Sequence, residues 1–391
     1  MRHLFRAAAL AVVALSLAIA CSPAAPAPTE RAPAVRLRAP TPTPKPPPTP
    51  EPRSHNTPTP VAQLPADIRL TQLLDELQLP TALSFAPDGR LFFTEVKKGM
   101  VRLMDADGSL RPDAFATLKI TRRTEQGVLG LALDPNFPAN HYVYVFYTQA
   151  AANGEEPQAN RVVRFVDRDG IGTDRTIILD DLPAGICCHN GGRMGFGPDG
   201  KLYVTLGDNN NTERAQNMNR LHGKILRVNP DGSVPADNPF PGSPIFALGF
   251  RNPWGLAFHP RTGVPYVTEN GEVGHDELNR VVAGGNYGAS EVDGIANDPR
   301  FVDPIWESEL ARLAPTGATF YTGRTMPEYQ NDFFFCAFNT GDLTRMRLGV
   351  PNYDQVLEQE VLAKVCYLDV ANGPDGALYL ASLTGIYRFG R

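Results

Sequence analysis

The chain has 391 residues, 42% of them hydrophobic, with 37 prolines and a formal net charge of −5. That length and apolar content suffice for one or two packed domains. So mild a negative charge gives nucleic acid or an anionic membrane surface no electrostatic reason to bind.

The chain opens with "MRHLFRAAALAVVALSLAIAC". Arg2 and Arg6 precede an apolar run, Ala7 to Ala20, that is too short for a comfortable membrane span and has the form of a secretory signal. Its end, "LAIAC", resembles a bacterial lipoprotein cleavage box with Cys21 as the lipidated residue, although Ala18 stands where a larger aliphatic is usual. Residues 1–21 are therefore expected to be a signal peptide. The expected location is the extracytoplasmic face of a bacterial membrane, reached through a lipid anchor, or else a secreted or periplasmic one. Residues 22–66 are rich in Pro and Thr and lack apolar periodicity. Such a segment cannot bury enough surface to offset its ordering entropy and reads as an extended spacer. With Cys21 set aside, four of the five cysteines remain, Cys187, Cys188, Cys336 and Cys366. Export places them in a disulfide-permissive compartment, and two bridges are possible.

From Asp67 to Arg391 one pattern recurs: a short apolar strand, a tight turn and a second strand. The copies are "TALSFAPDGRLFFTEV" from Thr81, "GVLGLALDPNFPANHYVYVFYT" from Gly127, "GRMGFGPDGKLYVTLGD" from Gly192, "WGLAFHPRTGVPYVTENG" from Trp254, a looser "TGATFYTGRTMPEYQNDFFFCAF" from Thr316, and "LDVANGPDGALYLASL" from Leu368. Phe85, Leu133, Phe196 and Phe258 end the first strand of their copies. Asp-Gly supplies the positive φ that such turns require. No long amphipathic helix competes. Hairpins at roughly 45 to 65 residue intervals fit the blades of a β-propeller. The expected fold is all-β, a six-bladed propeller of four-stranded antiparallel blades, closed by pairing "IRLTQLL" with the last blade.

Propellers place their sites at one end of the central channel, on the loops flanking each hairpin. Gln126, His189, Arg251 and Asn252 stand just before hairpins, whereas Asp208 and the segment Glu269 to Glu272 follow them. A histidine near an aspartate and an arginine can do acid–base work close to neutral pH. From spacing alone, a lone loop histidine is more often structural than catalytic, and a lone arginine such as Arg251 more often a structural ion-pair partner.

The segments "HNGGRMGFGPDGKLYVTLGD", "HGKILRVNPDGSVPADNPF", "ALGFRNPWGLAFHP" and "DELNRVVAGGNYG" occur in order and together resemble the glucose/sorbosone dehydrogenase family, over about Leu79 to Arg391. The resemblance implies a sugar dehydrogenase that uses pyrroloquinoline quinone (PQQ) and calcium and passes electrons to an external acceptor. It implies His189 as the base that takes the anomeric proton of an aldose and Asp208 as its orienting partner. It also implies Gln126 in the pocket, with Arg251 and Asn252 on the quinone. Calcium would lie on backbone carbonyls at Gly271 and Glu272, and a second ion on the Glu277 carboxylate and the Tyr287 carbonyl. The last two blades depart from the pattern. Asn339 stands where a lysine is expected, and Cys366 and Leu368 where two arginines are expected, while Lys364 is out of register. Arg193 and Lys364 remain alternative cations. A propeller of the same ancestry that binds a carbohydrate or protein without redox chemistry is the competing reading. Cys187 and Cys188 read either as a vicinal bridge or as two free, partly buried thiols, and a Cys336–Cys366 bridge in part of the volume once held by the missing cations is a further possible pairing.

Overall fold

The computed structural model describes residues 61–391. The leader, Cys21 and nearly all of the spacer lie outside the described residues. Strand β1 (Arg69–Leu74) precedes six repeats. The first contains β2 (Leu83–Phe85), β3 (Leu91–Glu95), β4 (Met100–Met104) and β5 (Ala116–Thr117). The second contains β6 (Val128–Leu133), β7 (Tyr142–Ala150), β8 (Pro157–Arg168) and β9 (Ile171–Leu182). The third comprises β10 (Met194–Phe196), β11 (Leu202–Leu206), β12 (Lys224–Val228) and β13 (Ile245–Leu248). The fourth comprises β14 (Pro253–Phe258), β15 (Pro265–Glu269), β16 (Glu277–Arg280) and β17 (Trp306–Glu307). The fifth is built from β18 (Pro315–Phe320), β19 (Phe333–Ala337), β20 (Leu343–Leu348) and β21 (Val356–Ala363), and the sixth from β22 (Asp369–Asn372), β23 (Leu378–Ala381) and β24 (Ile386–Gly390).

Each repeat is one antiparallel four-stranded sheet, and β1 supplies the missing fourth strand of the sixth by pairing Leu70 with Phe389 and Gln72 with Tyr387. The inner strands β2, β6, β10, β14, β18 and β22 touch one another in a closed cycle. This is the six-bladed propeller expected from the hairpin repeat, including its closure. Helix among the described residues is limited to Phe137–Asn140 and two 3₁₀ turns, Thr212–Gln216 and Pro327–Tyr329.

The hairpins form for the reasons their sequences suggest. In the third, Gly200 takes φ +71°, and Asp199 Oδ1 accepts the Lys201 amide at 3.1 Å, fixing the turn that pairs Phe196 with Leu202. The second strands do not divide into an inside and an outside face. Every residue of β3, β11, β15 and β19 is buried, because each sheet lies between two neighbours. Six apolar clusters fill the six interfaces between blades, such as Phe92, Phe115, Val145 and Phe165 between the first and second. Rigid inner strands therefore fix the loops at the channel mouth.

Candidate active site

His189 and Asp208 stand on either side of the third hairpin, and the hairpin returns them to each other. His189 Nδ1 lies 2.7 Å from Asp208 Oδ1. The imidazole is buried, and Asp208 is fully so. An acceptor carboxylate makes Nδ1 the protonated nitrogen and leaves Nε2 a free acceptor. Among the described residues no hydrogen bond is made to Nε2, and neither His189 nor Asp208 lines either of the two cavities described below. Asp208 is held in turn by its amide on the Arg251 carbonyl at 2.8 Å and by the Asn210 amide on Oδ1 at 2.8 Å. Gly207 follows from this packing: a Cβ there would sit 2.2 Å from the His189 carbonyl oxygen.

The backbone of His189 is left-handed, φ +55°, which a non-glycine residue adopts only when its surroundings hold it. Three consecutive residues ahead of the second hairpin do so. The Thr124 hydroxyl donates to the Cys187 carbonyl at 2.7 Å, Glu125 Oε2 accepts the His189 amide at 2.7 Å, and Gln126 Nε2 donates to the Gly185 carbonyl. Gln126 Oε1 accepts the Thr121 hydroxyl at 3.1 Å. The structure thus uses Gln126 to brace the histidine loop. Cys187 and Cys188, both half-buried, are bonded to each other.

A cavity of about 170 Å³ opens in the channel mouth, with walls from five blades. Asn252, Trp254 and Asn270 line one side, Phe338 and Leu368 another, and Lys97, Thr124 and Glu125 a third. Asn252 Oδ1 is buried with no partner. Arg251 faces the neighbouring cavity and uses Nη1 on the Asn270 carbonyl at 2.9 Å, with Asn270 lining both spaces. Lys97 was not singled out from the sequence. Its Nζ donates toward the carbonyls of Arg123 at 2.9 Å and Gln126 at 3.0 Å, and burial lowers its pKa, with Glu125 acting in the opposite sense. A signal existed: Lys97 lies two residues beyond β3, as Asp208 does beyond β11.

The fifth and sixth blades contribute Ala314, Thr316, Phe338 and Leu368 to this cavity, none of them cationic. Leu368 lines the cavity, but Asn339 does not; its amide donates to the Arg312 carbonyl at 2.9 Å. Cys336 and Cys366 are bonded to each other, yet both are fully buried in the apolar cluster between these blades and do not line the cavity. Phe338 and Leu368 take the vacated wall instead. Neither alternative cation is free, since Arg193 pairs with Asp369 at 3.0 Å and Lys364 with Asp342 at 2.6 Å.

Gly271, Glu272, Glu277 and Tyr287 all line one second cavity, of about 280 Å³, together with Glu269 and Asp293. Glu277 Oε2 accepts Asn279 Nδ2 at 2.8 Å and Oε1 accepts the Gly294 amide at 3.1 Å. Burial pushes the Glu277 carboxyl up to about 7, with the charges of Glu307 and Asp293 adding to the rise. Burial and the neighbouring Glu277 push Glu269 well above the usual carboxylate range. Among the described residues no three His, Cys, Asp or Glu side chains converge on a metal-holding geometry, so a cation here would depend on backbone carbonyls as well. Two buried carboxyls with raised pKa values beside an oxygen-lined cavity are the chemistry such a cation relieves.

The glucose / sorbosone dehydrogenase family model matches residues 77–385. The aldose sugar dehydrogenase YliI of Escherichia coli is 28% identical, over 81% of this chain and 90% of that protein. Quinoprotein glucose dehydrogenase B of Acinetobacter calcoaceticus is 34% identical over 58% of this chain and 53% of its own. The PQQ-bound aldose sugar dehydrogenase of Streptomyces coelicolor superposes with a TM-score of 0.71 at 26% identity, covering 83% of this chain and 99% of that one.

Proposed function

The chain belongs to the glucose/sorbosone dehydrogenase family, and from that premise we propose that it oxidises an aldose with PQQ, using His189 as the base. The observation that carries this reading is the buried His189–Asp208 pair, in which Asp208 occupies Nδ1 and no protein group is hydrogen-bonded to Nε2 among the described residues.

The residues present fit a quinone in part. The orphaned Asn252 Oδ1, the Arg251 guanidinium and the Lys97 ammonium offer polar partners, and Trp254, Phe338 and Leu368 offer flat or apolar contact to a ring. The fit is poorer toward three carboxylates, because the fifth- and sixth-blade wall holds no cation. When bound, PQQ supplies the acceptor for the hydride of the anomeric carbon. The chain's part is to move the proton. His189 Nε2 accepts it from the anomeric hydroxyl, which lowers the barrier to hydride departure. Asp208 keeps the imidazole in the accepting tautomer and stabilises the imidazolium that results. Arg251 and Asn252 would hold and orient the cofactor, the Arg251 guanidinium favouring negative charge beside it. Ca²⁺ would be held by the Glu277 carboxylate with the Tyr287 carbonyl and, nearer the cofactor, by the Gly271 and Glu272 carbonyls.

We further propose that the propeller works outside the cytoplasm, tethered through Cys21 and the residue 22–66 spacer, and hands electrons to an external acceptor. The two disulfides support an oxidising compartment. The apolar fifth- and sixth-blade wall favours one rival, a propeller of this ancestry that binds a ligand without redox chemistry. Titration of the protein with PQQ in millimolar Ca²⁺, followed by aldoses and an electron-accepting dye, separates the two. Saturable binding with sugar-dependent dye reduction supports the dehydrogenase; absence of PQQ binding at millimolar concentration rules it out.

A further inference from the structure

The loop that carries His189 is fixed in an unusual way. Ile186 is 71% exposed, Cys187 and Cys188 are half-buried, and none of the three belongs to an apolar cluster. Packing therefore does not hold this backbone. Polar tethers from Thr124, Glu125 and Gln126 hold it on one side, and Asn209 Nδ2 donates to the His189 carbonyl at 2.9 Å on the other. Lys97 fastens the tethering segment through its carbonyls. The remaining constraint is covalent. The Cys187–Cys188 bond closes a small ring through the intervening peptide, one residue before a histidine whose φ is +55°.

We propose that this ring is a positioning element for His189, and that its reduction by a thiol loosens the base and slows turnover. The proposal rests on His189 being the base. A closed ring removes backbone freedom from both cysteines, so the left-handed turn at His189 is reached from few alternatives. An open one restores that freedom, and a base displaced by a fraction of its hydrogen-bond length loses rate steeply. The step balances: two thiols deliver two electrons and two protons to the S–S bond, giving two cysteine thiols and one external disulfide. Exposure selects the bond attacked. Cys187 and Cys188 are reachable, whereas Cys336 and Cys366 are fully buried.

The test treats the folded full chain with dithiothreitol, alkylates it, and maps the modified cysteines by mass spectrometry. The His189 ring is then followed by NMR without cofactor, assigned by the signal lost in His189→Gln, and kcat and KM are measured with PQQ. Expected results are alkylation, among the four propeller cysteines, at Cys187 and Cys188 alone, a broadened and faster-exchanging His189 Nδ1–H, and kcat down by about tenfold with little change in KM. Cys187→Ser/Cys188→Ser should reproduce that state and no longer respond to thiol. The same His189 signal and kcat in reduced protein and double variant would overturn the proposal, as would a ring that resists the thiol. The NMR readout needs no turnover, so a protein that never oxidises sugar leaves the ring's effect on His189 measurable and points to failure of the functional reading alone.

Discussion

At the scale of single residues, His189 and Asp208 form the unit most exposed to test. His189→Ala should lower sugar-dependent dye reduction by roughly 10²–10⁴-fold while leaving PQQ binding intact, because a general base contributes about that much. Glu277 allows a second prediction, on stability. Its ordinary value is 4.5, and burial raises it to about 7 in the folded protein. Between those values the native state holds more protons than the unfolded chain, so stability falls as pH rises through that window. Thermal melts in a chelator should show a loss of about 2–3 kcal/mol from pH 5 to pH 8, and millimolar Ca²⁺ should restore it. Glu277→Gln should flatten both responses; a flat profile in the native protein would contradict the assignment of this carboxyl. The sequence made His189 and Asp208 legible because a hairpin joins their positions. Gln126, expected in the pocket, is fully buried, lines neither cavity and braces the histidine loop; that role was not legible because its partner, the Gly185 carbonyl, is a backbone group 59 residues away on the segment joining the second and third blades.

At the scale of elements, the hairpins were readable because local chemistry determines them: an apolar strand, a turn with Gly at positive φ, and a second strand. Full burial of β3, β11, β15 and β19 was not, because it arises only when neighbouring blades cover both faces. The same limit applied to the fifth and sixth blades. Sequence placed two cysteines near the missing cations, and the structure puts their bond in the core, with Phe338 and Leu368 facing the cavity. Leu368→Arg should therefore tighten PQQ binding by about tenfold, since a charge-assisted contact to a carboxylate is worth about 1.5–3 kcal/mol before burial costs. Equilibrium titration against the unaltered protein reads this directly. Unchanged or weaker affinity in a folded variant would show that this wall does not meet the carboxylates.

At the scale of the molecule, closure and centre are tied separately. Strand β1 closes the ring by pairing with β24. In the middle, Arg193 from the third blade reaches Asp369 of the sixth, and Asp369 Oδ2 also accepts the Leu83 amide of the first at 2.8 Å. Burial raises the Asp369 pKa while the Arg193 charge opposes the rise. A buried pair broken on one side leaves an uncompensated charge, so Asp369→Leu should cost about 3–5 kcal/mol in denaturant unfolding. Replacing both partners with apolar residues should cost much less. A loss below 1 kcal/mol for the single change would show that the pair does not join the blades. Closure was legible from a lone strand ahead of the first repeat, but the central pair was not, because 176 residues separate its members.

The proposed reaction turns on His189 removing a proton as hydride leaves the anomeric carbon. The most direct measurement compares kcat/KM for an aldose and its C1-deuterated form, with saturating PQQ and Ca²⁺, in the native protein and in His189→Ala. With His189 as the base, a primary isotope effect is expected in the native protein and turnover lowered by at least about a hundredfold in the variant. Equal turnover in the two proteins, or sugar oxidation independent of added PQQ, would contradict the proposed reaction.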